Sequence, residues 1–246
     1  KKLKLTRLSK RMHKQLEASV LMNSDQIIVT SQQTKLILSK RTKSPVIVIT
    51  NGYDFEINKS CKLDTKFTLS HVGNLQDGRN PEFLWKTLHD LVQNSIDFSK
   101  HFRLNLIGYI SEAVLNSIRI YGLEAYTNYS GYVSHSEALE YQSRTQLLLL
   151  IEENSKETKY IIPGKLFEYI ASRRPIIAIG PDGSDIENIV TKSASGNYFR
   201  YEESELLSSV ILGYFERYKR NDLYVEPKEI EKYSRRNLTF ELSKLL

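Results

Sequence analysis

A cation and a carboxylate begin one predicted helix, directly after a Pro-Gly turn. The segment 163–168 reads Pro-Gly-Lys-Leu-Phe-Glu, which puts Lys165 and Glu168 three residues apart and therefore on one helix face. An ammonium group can hold a phosphate, and a carboxylate can accept hydrogen bonds from ribose hydroxyls. The pair therefore suits a nucleotide, although a first-turn glutamate is also stabilised simply by the helix dipole.

A second candidate site lies in the turn 70–81, which follows another predicted strand. Gly73 allows the backbone to approach a ligand closely, and Pro81 is suited to the first turn of the next helix. Arg79, just before that helix, could hold a phosphate by a bidentate contact that the helix N-terminus assists. A glycine-containing turn between a strand and a helix is also often only a turn, so both interpretations stay open.

Other acidic residues and histidines are weaker candidates. Glu152 and Glu153 follow a predicted strand at its carboxyl end, where they could contact a sugar or belong to a solvated acidic loop. His71 lies inside a predicted strand, which is more typical of a core histidine than of a catalytic one. The five histidines and the single cysteine, Cys61, lack metal-ligand spacing, so no metal site is predicted. The sequence leaves the catalytic residues unassigned.

A regular alternation of strands and helices positions these residues. Strands are predicted at about 27–30, 46–49, 67–72, 102–107, 127–130, 146–151, 175–179 and 197–199. Helices are predicted at about 3–22, 31–40, 81–97, 111–121, 135–143, 164–172, 184–191, 203–219 and 237–246. Strands rich in Val, Ile, Leu and Phe, each followed by a helix, predict a parallel sheet that is covered on both faces. The predicted fold is α/β, a doubly wound, Rossmann-like parallel sheet.

The positive charge is concentrated at the start of the chain. Residues 1–43 carry eleven Lys/Arg and two acidic residues, whereas the rest carries twenty-four Lys/Arg and twenty-seven acidic residues. This distribution argues against a nucleic-acid-binding domain, whose charge extends across the folded surface. It is compatible with peripheral attraction to an anionic membrane, and also with a solvated helix face, the commoner reason for a basic run.

Length and cysteine content limit the class of protein further. The 246 residues allow one complete domain and part of another, and no run approaches the roughly 18 apolar residues of a membrane span. One cysteine cannot form an internal disulfide and fits a reducing cytosol, so a cytoplasmic location is predicted. The sequence begins at Lys1 without an initiator Met or a signal segment, which predicts an internal fragment.

Several motifs, in this order along the chain, resemble those of glycosyltransferase family 4, the retaining enzymes of the GT-B architecture. Segments 27–31 and 46–54 resemble the end of that family's N-terminal domain and the strand leading to its hinge. The turn Val-Gly-Asn-Leu…Arg-Asn-Pro at 72–81 is similar to its first donor-domain loop, and Ser-Gly-Tyr-Val at 130–133 to its base-binding loop. The run Pro-x-Lys-Leu-Phe-Glu-Tyr-Ile-Ala-Ser-x-x-Pro-Ile at 163–176 resembles its donor-site helix and the following strand.

The resemblance implies a donor-binding site with an altered set of cations. The family usually has Arg directly after the first-loop glycine, where this chain has Asn74, and Lys five residues further on, where it has Arg79. Lys165, at a position that is more usually apolar, is expected to restore the lost charge. The implied donor-binding residues are Gly73, Asn74, Arg79, Val133, Lys165 and Glu168.

The resemblance also implies how the nucleoside and the sugar are held. Glu168 matches the second of two glutamates in the family and is expected to bind the ribose, while main-chain atoms around Val133 would hold the base. Tyr160 stands where the first glutamate is expected. Tyr160 is therefore a candidate sugar contact by the resemblance, and Glu153 is another by its position after a strand.

The implied organisation is the donor half of a two-domain enzyme. Residues 1–50 would be the remnant of the acceptor-side N-terminal domain, 51–66 a hinge, 67–235 the donor-binding domain and 236–246 a helix returning to the N-terminal domain. The parent enzyme would transfer a hexosyl unit from a UDP- or GDP-linked donor to a saccharide or lipid-linked acceptor, as in polysaccharide biosynthesis. It would need no separate cofactor, and this fragment alone would be inactive.

Two alternatives stay open at this stage, because a fold does not determine a function. A nucleotide-sugar 2-epimerase shares the architecture but needs acid and base groups in the cleft, and the sequence shows no clear set of them. A non-catalytic nucleotide-binding or assembly module is the other alternative.

Overall fold

The computed structural model describes residues 5–54 and 61–245, and two parallel sheets form within them. The smaller sheet pairs β1 (Ile27–Val29) with β2 (Val46–Val48), and α2 (Gln32–Leu38) connects its two strands. It is preceded by α1 (Arg7–Asn23). The first two residues of the predicted helix 3–22, part of the predicted hinge 51–66, and residue 246 lie outside the described residues.

The larger sheet has six parallel strands in an order that reverses at its centre. Its strands are β3 (Phe67–Val72), β4 (Phe102–Ile107), β5 (Thr127–Gly131), β6 (Leu147–Ile151), β7 (Ile176–Ile179) and β8 (Gly196–Phe199). They lie in the order β5-β4-β3-β6-β7-β8, so the chain runs outward from β3 in one direction and from β6 in the other. This confirms the predicted doubly wound fold and puts the topological switch point between β3 and β6.

Helices cover both faces of this sheet, and the strand sequences explain why. Leu147, Leu149 and Ile151 of β6 pack in one hydrophobic cluster, whereas Leu148 and Leu150 pack in another, because alternate side chains point to opposite faces. The first cluster contains residues of α3 (Glu82–Asn94), α4 (Ile96–His101), α5 (Glu112–Ile120) and α9 (Ser204–Lys219). The second is covered by α6 (His135–Arg144), α7 (Lys165–Ala171) and α8 (Asp185–Lys192).

One predicted helix is in fact two. The segment predicted as a helix over 81–97 divides at Ser95, where α3 ends and α4 begins. The Ser95 hydroxyl accepts a hydrogen bond from the amide of Phe98, at 3.1 Å, and so caps α4. Phe98 is fully buried, so the change of direction brings an aromatic ring into the core. The other helix ends differ from the prediction by a few residues, as is usual for frayed or capped termini.

The last helix, α10 (Arg235–Ser243), lies beside the connection between the two sheets. The amide of Tyr53 donates to the carbonyl of Tyr233, and the amide of Arg235 donates to the carbonyl of Tyr53, at 3.0 and 2.9 Å. A Cβ atom at Gly52 would lie 2.3 Å from the Tyr233 carbonyl oxygen, so this close approach needs a glycine. Beyond α10, the Leu245 carbonyl accepts a hydrogen bond from the side chain of Gln26, close to β1.

Candidate functional site

The candidate site lies at the switch point, where the carboxyl ends of β3 and β6 meet the first residue of α7. Gly73 follows β3 with φ +119° and donates its amide hydrogen to the Ile107 carbonyl at 2.7 Å. A Cβ atom at Gly108, which follows β4, would lie 2.6 Å from the Gly73 carbonyl oxygen. The two glycines therefore let the turns after neighbouring strands pack closely. The connections after β3 and β6 lead to opposite faces of the sheet, and the crevice at such a switch point is where open parallel sheets bind ligands.

Lys165 extends from α7 across the end of β3. Its ammonium nitrogen lies 3.3 Å from the carbonyl oxygen of Val72 and 3.4 Å from Nε2 of His71. A Cβ atom at Gly73 would lie 3.4 Å from the same nitrogen, so the predicted turn and the predicted cation meet. Desolvation by burial lowers the pKa of Lys165 to about 8, the charge of Arg79 acts in the same direction, and nearby carboxylates oppose both.

His71 supports Lys165 from inside the sheet. The imidazole is fully buried, as expected of a core histidine, and its Nδ1 lies 3.0 Å from the Leu149 carbonyl oxygen. Burial lowers the pKa of His71 well below its ordinary value, so the ring is neutral. If Nδ1 carries the hydrogen and donates it to this carbonyl, Nε2 is left to accept a hydrogen bond from Lys165.

Arg79 reaches the same crevice from the turn after β3. It ends a short 3-10 helix, Asp77–Arg79, and its side chain is 32% exposed. The side chain of the next residue, Asn80, makes two hydrogen bonds: Nδ2 donates to the Ser117 hydroxyl at 2.8 Å, and Oδ1 accepts from the Trp85 indole at 2.7 Å. The turn that carries the guanidinium group is therefore held by α3 and α5.

Glu152, directly after β6, is the buried carboxylate of the site. The sequence alone did not distinguish it from its neighbour Glu153. It is 1% exposed, and its Oε2 lies 3.5 Å from Nη2 of Arg79. Burial raises the pKa of the Glu152 carboxyl, and the positive charges of Arg79 and Lys165 oppose this rise. A signal was present in the alternation of β6, since Glu152 continues the series Leu148 and Leu150 on the face that α7 covers.

The two predicted sugar contacts lie at the edge of this group. Glu153 is exposed, and its carboxyl carbon would lie 3.3 Å from a Cβ atom at Gly78, so it is next to the turn of Arg79. Tyr160 is partly buried in the loop that precedes α7. Of the predicted donor-binding residues, Asn74 is exposed beside Gly73.

Glu168, one turn after Lys165 on α7, is held by α6. Its Oε2 accepts a hydrogen bond of 2.9 Å from Nε2 of Gln142, which is 2% exposed. Glu168 also lines a cavity of about 330 Å³ between α7, α10 and the connection that joins the two sheets, together with Gly52, Gly164 and Arg235. A carboxylate that is held by a buried amide and borders a cavity is suited to accept further hydrogen bonds from a ligand.

Val133 is partly buried against the cluster beneath α7, in the loop between β5 and α6. This loop ends in a capping box, in which Ser134 and Glu137 hydrogen-bond to each other's backbone amides. The main chain at Val133 is therefore fixed next to the N-terminus of α6, after the edge strand β5. Glu168 lies on α7 and Val133 in the loop before α6, two helices that contact each other on one face of the sheet.

A cavity of about 650 Å³ lies at the other end of the sheet and is lined by Asp64, Thr65 and Gln146 among others. These residues precede β3 and β6, so the cavity opens at the amino ends of the strands. Ligands of open parallel sheets bind beyond the carboxyl ends. The crevice around Lys165 is therefore the better candidate.

Within residues 5–54 and 61–245, no three His, Cys, Asp or Glu side chains lie close enough together to hold a metal ion. No helix in the same part of the chain is long and apolar enough to cross a membrane. The amphipathic helix α1 nevertheless exposes Leu8, Leu16 and Val20, at 69%, 62% and 63%.

The chain is similar to known proteins in structure but not significantly in sequence. No family model matches the chain, and no curated protein matches it significantly. Its structural neighbours are GT-B glycosyltransferases. They include sucrose-phosphate synthase from Thermosynechococcus elongatus, with a TM-score of 0.68 and 15% identity over 98% of this chain and 62% of that one.

Two further neighbours were solved with a nucleotide. HepE from Anabaena in complex with UDP has a TM-score of 0.69 and 15% identity, over 97% of this chain and 69% of that one. The pneumococcal O-GlcNAc transferase GtfA, in complex with UDP and GlcNAc, has a TM-score of 0.65 and 16% identity, over 92% and 46%. The chain therefore spans about half to two thirds of these structures, and such low identities establish the fold alone.

Proposed function

We propose that this chain is the donor-binding domain of a GT-B glycosyltransferase, which transfers a hexosyl unit from a UDP- or GDP-linked donor to a saccharide or lipid-linked acceptor. The observation that carries the proposal is the meeting of Gly73, Arg79 and Lys165 at the switch point of the sheet. This is the place where open α/β sheets bind their ligands, and here it is lined by two cations.

The diphosphate would lie over Gly73, between Lys165 and Arg79. An ammonium group has three hydrogens, of which Lys165 can direct two toward Val72 and His71, so one is left for a phosphate oxygen. The guanidinium of Arg79 is partly exposed and can offer two parallel donors. Because the site is partly buried, these charges are less screened by solvent than surface charges would be.

The nucleoside would extend from the diphosphate toward α6. Glu168 would accept hydrogen bonds from the ribose hydroxyls while Gln142 keeps its carboxylate oriented. Main-chain groups around Val133 would hold the base. Structural neighbours that were solved with UDP support a uridine nucleotide as the first probe, and GDP is the alternative.

The donor-domain assignment applies to residues 67–235, with 1–50 and 236–246 belonging to the acceptor side. The single cysteine of the chain fits a cytoplasmic enzyme. Peripheral contact with an anionic membrane is a further part of the proposal, since α1 exposes both apolar and basic residues.

Isothermal titration with UDP, GDP and pyrophosphate tests this function directly. We expect saturable binding of one of the two nucleotides, with weaker binding of pyrophosphate because it lacks the ribose and base. A protein that is folded by circular dichroism but binds neither nucleotide would contradict the proposal, and would favour a non-catalytic assembly module instead.

A further inference from the structure

Glu152 is a buried carboxylate with unused hydrogen-bonding capacity. It is 1% exposed, and neither of its carboxylate oxygens has a hydrogen-bond partner within the described residues. Two neighbouring hydroxyls are already engaged: Tyr201 donates to the main-chain carbonyl of Glu152, at 2.5 Å, and Tyr198 donates to the Pro181 carbonyl, at 2.7 Å. Buried polar groups normally find partners, so an unsatisfied one at a ligand site calls for a ligand.

The ion pair with Arg79 does not satisfy this carboxylate. The separation of 3.5 Å between Nη2 and Oε2 is longer than a charge-assisted hydrogen bond, which spans about 2.7–2.9 Å. Arg79 and Lys165 therefore compensate the charge of Glu152 without using its lone pairs. What is missing is a group that donates hydrogen bonds and carries no negative charge.

The position of Glu152 is fixed by the sheet. Its amide donates to the Ile179 carbonyl at 2.8 Å, which continues the pairing of β6 with β7. A Cβ atom at Gly180 would lie 3.4 Å from the Cβ atom of Glu152, so there is little space beside the aliphatic part of the Glu152 side chain. A carboxylate that is held this way is preorganised for a ligand in the crevice.

We propose that Glu152 determines specificity for the donor by accepting hydrogen bonds from hydroxyl groups of its glycosyl unit. This inference rests on the proposed donor-binding function. A phosphate would be repelled by the carboxylate, and a divalent cation by Arg79 and Lys165, whereas sugar hydroxyls are neutral donors that fit both. Glu152 would thus favour an intact nucleotide sugar over the nucleoside diphosphate that remains after transfer.

The test is isothermal titration of the wild type and Glu152→Gln with four probes: UDP, UDP-glucose, GDP and GDP-mannose. With the nucleotide sugar that the wild type binds more tightly, we expect Glu152→Gln to weaken affinity about 10-fold, as for one lost charged hydrogen bond. Affinity for the matching nucleoside diphosphate should stay the same or increase, because a negative charge next to the phosphates is removed.

Two further variants complete the experiment. Glu152→Asp keeps the charge but shortens the side chain, so it should also weaken the nucleotide sugar and leave the nucleoside diphosphate unchanged. Glu202→Gln removes one charge from an exposed residue that follows β8 at the same edge of the sheet, and should change neither affinity. Circular dichroism and thermal unfolding establish that each variant is folded.

The outcomes separate this inference from the function on which it rests. Equal losses for the nucleotide sugar and the nucleoside diphosphate in Glu152→Gln would mean that Glu152 only positions Arg79, and would overturn the inference. No change in either affinity would overturn it too. If the wild type binds none of the four probes, the donor-binding function itself fails.

Discussion

At the scale of single residues, the site balances two cations against one buried carboxylate. Lys165 and Arg79 repel each other, and Glu152 partly offsets this repulsion. A bound diphosphate would supply further negative charge, so it would be attracted by both cations. Ligand binding at the site is therefore expected to depend strongly on these side chains, whereas folding is expected to depend on them much less.

Removing either cation should weaken nucleotide binding and leave the fold intact. A charge-assisted contact contributes about 1.5–3 kcal/mol, so Arg79→Ala and Lys165→Ala should each weaken nucleoside diphosphate binding by about 10- to 150-fold. Isothermal titration measures the change, with exposed Lys86→Ala and Arg119→Ala as controls that should bind like the wild type. Wild-type affinity in both Arg79→Ala and Lys165→Ala would show that the diphosphate does not lie at the switch point.

Glu168 should affect the nucleoside and not the phosphates. Its contact with Gln142 orients it toward α6, where the proposed ribose hydroxyls would bind. Glu168→Ala is therefore expected to weaken nucleoside diphosphate binding by about 10-fold, a loss of about 1.4 kcal/mol, and to leave pyrophosphate binding nearly unchanged. Titration of Glu168→Ala with both the nucleoside diphosphate and pyrophosphate provides an internal control. Equal losses of affinity for the two probes would mean that the substitution disturbs the site as a whole.

Nucleotide affinity should fall as the pH rises through about 8, where Lys165 loses its proton in the free protein. The neutral amine attracts phosphate less than the ammonium group does. Because a bound diphosphate stabilises the ammonium form, its binding near pH 8 should take up about half a proton. Titrations from pH 7.5 to 10, in buffers of different ionisation enthalpy, measure both effects.

Lys165→Met serves as the matched variant for this pH dependence. It removes the titrating group, so its weaker affinity should vary little over the same pH range. Parallel pH profiles of the wild type and Lys165→Met would assign the dependence to another group.

At the scale of elements, hydrophobic periodicity determined most of the fold. The predicted strands 67–72 and 102–107 agree with β3 and β4 residue for residue, because long apolar runs between turn residues leave little choice. The division at Ser95 was missed, since it depends on a serine cap and on the burial of Phe98 rather than on periodicity.

The site was less predictable than the elements for a related reason. Glycine, proline and charge at the turns identified Gly73, Arg79 and Lys165, because these signals are local. The burial of Glu152 comes from residues far apart in the chain, such as Arg79 and Tyr201, which only the folded sheet brings together. An acidic pair after a strand is equally typical of a solvated loop, so only the alternation of β6, continued to Glu152, favoured a buried carboxylate.

The exposed helix α1 combines apolar and basic side chains. It presents Leu8, Leu16 and Val20 to solvent, and Lys10 and Lys14 are exposed on the same helix. We expect the chain to bind phosphatidylserine vesicles, and the affinity to fall as salt shortens the Debye length below about 8 Å. The double variant Lys10→Gln/Lys14→Gln should lose about 1 kcal/mol per lysine in a vesicle sedimentation assay.

A charge-matched control distinguishes this effect from a general loss of positive charge. Lys62→Gln/Lys86→Gln removes two exposed lysines elsewhere and should sediment like the wild type. Equal binding to neutral and anionic vesicles would leave α1 as an ordinary solvated helix, or as one whose apolar face contacts protein.

At the scale of the whole molecule, the two sheets differ greatly in extent but are connected at several points. The Gln33 amide donates to a carboxylate oxygen of Asp185 at 3.0 Å, and Tyr53 pairs with the segment that precedes α10. The nucleotide would be held by the six-stranded sheet, with the two-stranded sheet on the other side of the connection. In the proposed enzyme, donor binding and transfer to an acceptor would therefore depend on different parts of the protein.

We expect the chain to bind the nucleotide sugar without transferring the sugar. Transfer requires the acceptor to be held within reach of the donor, in a near-attack geometry that supplies a large part of the rate. Within the described residues, the proposed acceptor side is limited to a two-stranded sheet, β1 and β2, and to α1, α2 and α10. The measurement is release of nucleoside diphosphate from UDP-glucose or GDP-mannose, at protein concentrations above the measured Kd, with and without a panel of oligosaccharide acceptors. Release that does not increase with any acceptor is the expected result. Acceptor-dependent release by this chain alone would place an acceptor site within its 246 residues and contradict the division into donor and acceptor sides.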